Sequence, residues 1–272
     1  QMLREDRINL VAGGLSGATV DFVLFPLDTL KTRLQARQSQ VKVAGGQFYR
    51  GLLSAMAGSF PAAATFWTSY EATKRYLAPQ VTDPSMLPLV HIAAASSAEI
   101  ATCVVRNPFE VVKQQMQAGL HQSTSAAVRT ILQTEGARGF FAGYLTLVAR
   151  EIPFDALEFV LYEQFKLRWR RRVGRELSLR DNMLLGSLAG GITAALTTPL
   201  DVAKTRLMTQ AGVAKQDRYR GMIDAFRRIA REEGTRVLFS GAKQRVLWIS
   251  LGGAIFFGTF EEAKRRLAGV WP

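Results

Sequence analysis

The chain has 272 residues, 48% hydrophobic and 21% charged, enough apolar side chain to offset the entropy of ordering, so a disordered polybasic segment is excluded. Thirty-five Lys and Arg against 22 Asp and Glu leave a formal charge of +13, which calls for a polyanion, a membrane surface or an anionic partner. Cys103 is the single cysteine and His91 and His121 are the two histidines, which excludes a disulfide scaffold and a structural zinc site.

In chain order, residues 8–27 carry Asp21 as their one charge, and residues 51–70 carry none. Residues 86–105 carry only Glu99, whereas residues 140–162 are apolar except for Arg150, Glu151, Asp155 and Glu158. Residues 182–200 and 246–260 are again free of charge. The stretches 51–70 and 182–200 match a hydrocarbon core of roughly 30 Å. Six apolar segments joined by basic connections predict an all-α membrane protein with an even number of crossings and both termini on one side. The alternative is a soluble helical bundle whose surplus charge binds nucleic acid. Small residues four apart, Gly13 with Gly17 and Gly186 with Gly190, predict close helix approach in lipid. The start, Gln1 to Arg7, holds acids and no cleavable signal pattern, so targeting information is expected to be internal.

The chain repeats itself three times. Pro26-x-Asp28-x-x-Lys31-x-Arg33, Pro108-x-Glu110-x-x-Lys113-x-Gln115 and Pro199-x-Asp201-x-x-Lys204-x-Arg206 close the odd apolar segments. Tyr70-Glu71-x-x-Lys74, Tyr162-Glu163-x-x-Lys166 and Phe260-Glu261-x-x-Lys264 close the even ones at nearly the same period. Gly51, Gly143 and Gly241 precede the aromatics Tyr70, Tyr162 and Phe260 by one identical offset. The boundaries are residues 1–80, 81–175 and 176–272, three repeats in one integral domain. An acid and a base three residues apart on a helix are, singly, a surface pair of little value. Recurring around a pseudo-threefold axis, the acid of one repeat can meet the base of the next, and two such rings at opposite faces would make two gates. Each proline removes a backbone donor and can kink its helix toward that axis.

These six motifs in phase resemble the mitochondrial carrier family over essentially the whole chain. The resemblance implies six tilted transmembrane helices in three pseudo-symmetric repeats, with short matrix helices and a site alternately open to either side. It assigns Asp28, Lys31, Glu110, Lys113, Asp201 and Lys204 to a matrix gate, braced by Gln35 and Gln117, with Met208 in place of a third glutamine. It assigns Tyr70, Glu71, Lys74, Tyr162, Glu163, Lys166, Glu261 and Lys264 to a cytoplasmic gate. The connection from Pro26 to Gly51 is shorter than those from Pro108 to Gly143 and from Pro199 to Gly241, so the first matrix helix is expected to be vestigial. The resemblance further implies a monomer in the mitochondrial inner membrane with both termini toward the intermembrane space, and no enzymatic activity, cofactor or nucleic-acid partner. Cardiolipin is the expected structural lipid, beside residues 136–143 and 234–241.

Polar groups within the membrane report the cargo, because each is expensive there. The family's contact positions fall at Gly58 and Ser59, Arg150 and Glu151, and Ile249. A guanidinium beside a carboxylate suits an amino-acid-like solute, the first taking its carboxylate and the second its ammonium. Asp21, Glu99, Glu151, Asp155 and Glu158 outweigh Arg106 and Arg150 there, predicting a cationic solute. Asp21 has Cys103 and Ala194 as counterparts, so it breaks the symmetry, as a contact to an asymmetric cargo would. Glu99 suits either a cargo contact or a packing hydrogen bond, and Asp155 and Glu158 either face the cavity or pair with neighbours. Phe66, Phe154 and Phe256 either stack a base or pack, while Cys103, His91 and His121 read as structural. Within the family, residues 20–35, 58–61, 150–154, 197–206 and 249–253 resemble members that carry S-adenosylmethionine. The resemblance implies exchange of cytosolic S-adenosylmethionine for matrix S-adenosylhomocysteine, with Asp21, Ser59, Phe66, Glu99, Arg150, Glu151 and Ile249 as contacts. Another cationic amino-acid-like metabolite is the alternative cargo.

Overall fold

A computed structural model describes residues 2–36, 47–81, 83, 86–210, 213 and 215–270, without the side chains of 2–11, 13, 88, 179, 215, 257, 261, 264 and 267–270. The described residues are helical or irregular, with no strand among them. Six long helices, α1 (Met2–Gln35), α2 (Leu52–Leu77), α3 (Leu87–Gln117), α5 (Tyr144–Val173), α6 (Leu179–Met208) and α8 (Ala242–Val270), contain the apolar segments. Two short ones, α4 (Thr124–Glu135) and α7 (Met222–Glu232), lie in the connections after α3 and α6. The corresponding connection after α1 falls mostly on residues 37–46, so the expectation of a vestigial helix there lies outside the described residues.

Local chemistry explains the element ends. Gly51, Gly143 and Gly241 adopt left-handed φ of 89°, 73° and 75°, which a side chain would resist, and they open α2, α5 and α8. Their carbonyls accept the first helical bonds, from Ala55, Leu147 and Arg245 at 3.0, 2.8 and 3.0 Å. The glycine recurring at a fixed offset before each aromatic is therefore a backbone requirement. Pro26, Pro61, Pro108, Pro153 and Pro199 all sit inside long helices, a placement that surrounding helices and hydroxyl side chains make tolerable in lipid. Ser123 caps α4, its hydroxyl accepting from the Ala126 amide at 3.2 Å.

The chain forms two compact units, residues 1–31, 154–198 and 241–272, and residues 32–153 and 199–240. The second holds two cores. Cys103, Val111, Val112, Met116, Ala127, Ile131, Leu147 and Met208 pack α4 onto the end of α3, the start of α5 and the end of α6. Val202, Ala203, Leu207, Tyr219, Ala225, Ile229 and Leu238 pack α7 onto the end of α6. In both cases a short amphipathic helix seals the end of a long one with its apolar stripe. In the first unit α6 meets α8 closely, since a Cβ on Gly190 would stand 2.7 Å from Ile249 and 2.9 Å from Glu158. Gly17, by contrast, has open space among the described residues, and Gly13 lies outside the described side chains, so close approach rests on Gly190.

Large apolar side chains face outward along the long helices, Phe60 and Leu145 being 82% and 80% exposed, a surface that suits hydrocarbon surroundings and not water. Among the described residues, two stretches, Leu89–Gln117 and Arg180–Met208, are long and apolar enough to cross a membrane by length and composition.

Candidate functional site

The second and third proline motifs meet through buried charge. Lys204 Nζ lies 2.8 Å from Glu110 Oε1, joining α6 to α3, and Gln114 donates to the same oxygen at 3.0 Å. This places the acid of the second repeat on the base of the third. Gln35 donates to Asp201 Oδ2 at 3.0 Å and to the Ser240 carbonyl at 3.3 Å, and accepts from Thr205 at 2.8 Å. Gln117 accepts from Thr32 at 2.9 Å, while its carbonyl receives Arg33 Nε at 3.0 Å. Asp28 and Lys31 are half-buried on α1 in the first unit, and Lys113 is half-buried on α3 in the second. Met208, which replaces a third glutamine, is wholly buried in the core, and a Cβ on Gly143 would stand 3.1 Å from its Cγ.

The last position of the motif shows why one departure is tolerated. Arg206 holds Glu233 with two bonds of 3.0 and 2.8 Å, anchoring α6 to the end of α7. At the equivalent position Gln115 donates to the Met208 carbonyl at 3.2 Å and accepts from His121 at 2.9 Å. Glu135, the counterpart of Glu233, pairs with Arg218 at 2.8 Å. Burial pushes the His121 imidazole below its ordinary pKa, so the neutral ring is the favoured donor.

The aromatic-Glu motifs differ in kind. Glu71 and Lys74 pair at 3.6 Å, and Glu163 and Lys166 at 3.3 Å, each within its own helix. The two lysines lie over the Tyr70 and Tyr162 rings at 5.8 and 5.6 Å. Tyr70 meets His91 at 2.7 Å, and Tyr162 donates to Asn182 at 3.1 Å. The side chains of Glu261 and Lys264 lie outside the described residues.

A third group lies in and at the ends of the apolar segments. Glu151 is 6% exposed, and one of its oxygens accepts from both Arg106 of α3 and Arg150 of α5. Arg106 also reaches Glu99 at 3.5 Å, and Arg150 Nε lies 3.9 Å from Asp201. Glu99, Arg106, Glu151, Arg150, Asp201 and Gln35 thus form one line of alternating polarity through the second unit, the arrangement that charges removed from water demand. Glu99 also accepts a weak bond from Cys103 at 3.5 Å.

The other expected contacts are placed separately. Ser59 is exposed on α2 and donates to the Ala55 carbonyl of its own helix at 2.9 Å, while Gly58 turns inward onto Phe109. Phe66 lies parallel to Tyr70 with centroids 6.2 Å apart, and Phe256 likewise to Phe260 at 6.1 Å. Asp21 is half-buried on α1, Asp155 exposed on α5, and Ile249 packs on Gly190. Two arginines stand outside the expected contact set. Arg106 is legible as the base seven residues after Glu99, on the same helical face. Arg245, 3% exposed over the Phe154 ring at 5.3 Å, lies just outside the charge-free stretch that marks α8.

Buried, mutually paired charges in helices with exposed apolar side chains suit a membrane carrier of polar solutes. The family described as "Mitochondrial carrier protein" matches residues 7–47, 85–173 and 175–270, and the chain belongs to that family of transporters. It is 46% identical over 262 residues to "S-adenosylmethionine carrier 1, chloroplastic/mitochondrial" of Arabidopsis thaliana, covering 96% of this chain and 79% of that one. It is 44% identical over 266 residues to the "Mitochondrial S-adenosylmethionine carrier protein" of Danio rerio, covering 97% and 98%. The protein of the same description in Mus musculus is 42% identical over 263 residues, covering 96% and 95%.

Proposed function

We propose that this chain exchanges cytosolic S-adenosylmethionine for matrix S-adenosylhomocysteine across the mitochondrial inner membrane by alternating access. The observation that carries the reading is half-buried Arg150 beside buried Glu151 in a mostly apolar part of α5, in a chain 42–46% identical to carriers named for that solute. The cargo supplies a carboxylate for Arg150, an ammonium for Glu151, a permanent sulfonium charge for Asp21 and an adenine for the wall around Ser59 and Phe66.

In this reading the repeats 1–80, 81–175 and 176–272 form one monomeric domain of six spans, with both termini toward the intermembrane space and cardiolipin beside the short helices. The proline motifs with Gln35 and Gln117 form the matrix gate, and the aromatic-Glu motifs form the cytoplasmic gate. Lys204 joined to Glu110, from α6 to α3, supports the reading of the proline motifs as a gate of inter-repeat ion pairs.

Reconstitution tests the reading. Liposomes loaded with S-adenosylhomocysteine should take up labelled S-adenosylmethionine, empty liposomes should not, and external S-adenosylhomocysteine should compete while arginine and ATP do not. Equal competition by arginine would favour the carrier of another cationic amino-acid-like metabolite.

A further inference from the structure

We propose that Glu151 is an internal stand-in for the cargo's carboxylate, and that Arg106 and Arg150 together form the clamp which the cargo takes over from it. The inference rests on the cargo reading above and adds Arg106 as a specificity-determining residue. Both guanidiniums converge on one oxygen of Glu151, from α3 and from α5. A carboxylate held between two arginines is the geometry in which a free amino-acid carboxylate would itself be bound. Glu151 is 6% exposed, and its departure would leave two guanidiniums without their shared acceptor, a cost that an incoming anion offsets.

Neighbouring groups fit the exchange. Arg106 keeps a second acid, Glu99, at 3.5 Å, and Arg150 keeps Asp201 at 3.9 Å, so each arginine retains a counter-charge when Glu151 moves off. Once displaced, Glu151 stands next to the incoming carboxylate and thus next to the α-ammonium one carbon away, which neutralises it. A zwitterion supplies both charges together. A solute with only one of them leaves either a paired clamp and an unmatched ammonium, or a bound carboxylate and an unpaired Glu151. The clamp therefore selects the amino-acid end of the cargo whatever the rest of the molecule is.

The test is competition against labelled S-adenosylmethionine exchange, using S-adenosylhomocysteine, decarboxylated S-adenosylmethionine and the deaminated acid of S-adenosylhomocysteine. Arg106→Ala should weaken inhibition by S-adenosylhomocysteine about tenfold or more, the order expected for one charge-assisted hydrogen bond, and change that by the decarboxylated compound less than about twofold. Glu151→Gln should strengthen inhibition by the deaminated acid and weaken that by the decarboxylated compound. Arg106→Lys, which retains charge without the fork, should fall between Arg106→Ala and the native protein. Equal losses for all three compounds in Arg106→Ala, with Glu151→Gln shifting none relative to the others, would reduce the cluster to a fold-stabilising network and overturn the clamp. Native protein insensitive to all three compounds would instead overturn the cargo reading.

Discussion

Lys204 Nζ stands 2.8 Å from Glu110 Oε1 with side chains 5% and 15% exposed, so the motif base of α6 and the motif acid of α3 share a buried ion pair. Removing one member leaves the other charged and desolvated, a loss of about 3–5 kcal/mol in such settings. Glu110→Gln and Lys204→Ala should each lower the melting temperature in detergent and abolish exchange. The charge-reversed double variant, Glu110→Lys with Lys204→Glu, should recover stability beyond either single reversal. Additive losses in that double-mutant cycle would show that the contact carries no coupling.

Gln35 ties the same region from α1, because its amide donates to Asp201 while its oxygen accepts from Thr205. Gln35→Ala should therefore cost about 1–3 kcal/mol by leaving a buried hydroxyl and carboxylate short of a partner. On the proposal that the proline motifs form a gate, the bond breaks on opening, so Gln35→Ala should keep a measurable exchange rate where Lys204→Ala has none. Thermal denaturation and initial rates, measured on the same preparations, test this. Unchanged melting would remove Gln35 from the brace.

Much of the fold is legible in the sequence because repetition converts weak signals into strong ones. Glycine at 51, 143 and 241, always at one offset from the following aromatic, announces three helix starts, and the longer connections from Pro108 to Gly143 and from Pro199 to Gly241 leave room for α4 and α7. What spacing cannot supply is the partner of a charge. An acid and a base three residues apart can pair within the helix, as Glu71 and Lys74 do, or across to a neighbour, as Glu110 and Lys204 do. The choice depends on which helix face lies nearby, a tertiary property. Arg106 stands outside the expected contacts for the same reason. Its sequence neighbour Pro108 belongs to a repeated motif, while its side chain reaches Glu151 on another helix.

Gly58 is an inward position next to an outward one. A Cβ there would stand 2.7 Å from Phe109 Cβ and 2.8 Å from its Cγ. Gly58→Ala should separate α2 from α3 at a cost of about 1–3 kcal/mol, as overpacking does. Gly17→Ala, with nothing within 4 Å among the described residues, should leave melting unchanged or raise it slightly, serving as the control. Equal melting for both variants would mean that the α2–α3 contact is looser than Gly58 implies.

His121 gives the fold a pH-dependent contact at the end of α3. Its pKa is lowered by burial, so between that folded value and about 6.5 the unfolded chain binds more protons than the folded one. Its contribution is fully present above about pH 6.5 and is lost as pH falls through the folded value. The melting temperature should decline from pH 7.5 to pH 5.5 by more in the native protein than in His121→Gln, which can still donate to Gln115. Parallel declines would show that the ring titrates as an exposed imidazole.

In the proposed exchange Asp21 is the acid assigned to the charge that distinguishes the two solutes. S-adenosylmethionine bears a sulfonium cation, and S-adenosylhomocysteine a neutral thioether on an otherwise similar frame. Asp21 is half-buried in a stretch of α1 with no other charge, where an opposite charge a few ångströms away is worth more than in bulk water. Asp21→Asn preserves size and one acceptor oxygen while removing that attraction. The half-saturating concentration for S-adenosylmethionine should rise about tenfold or more, the order of a lost interaction of about 1.4 kcal/mol, with that for S-adenosylhomocysteine nearly constant. If Asp21 instead holds α1 in place, both solutes should suffer together, and equal loss would reject the sulfonium assignment. Because the two solutes differ by one unit of charge, one-for-one exchange should also respond to membrane potential. An inside-negative potential should speed uptake of S-adenosylmethionine against its product, and imposed potassium gradients with valinomycin provide the measurement.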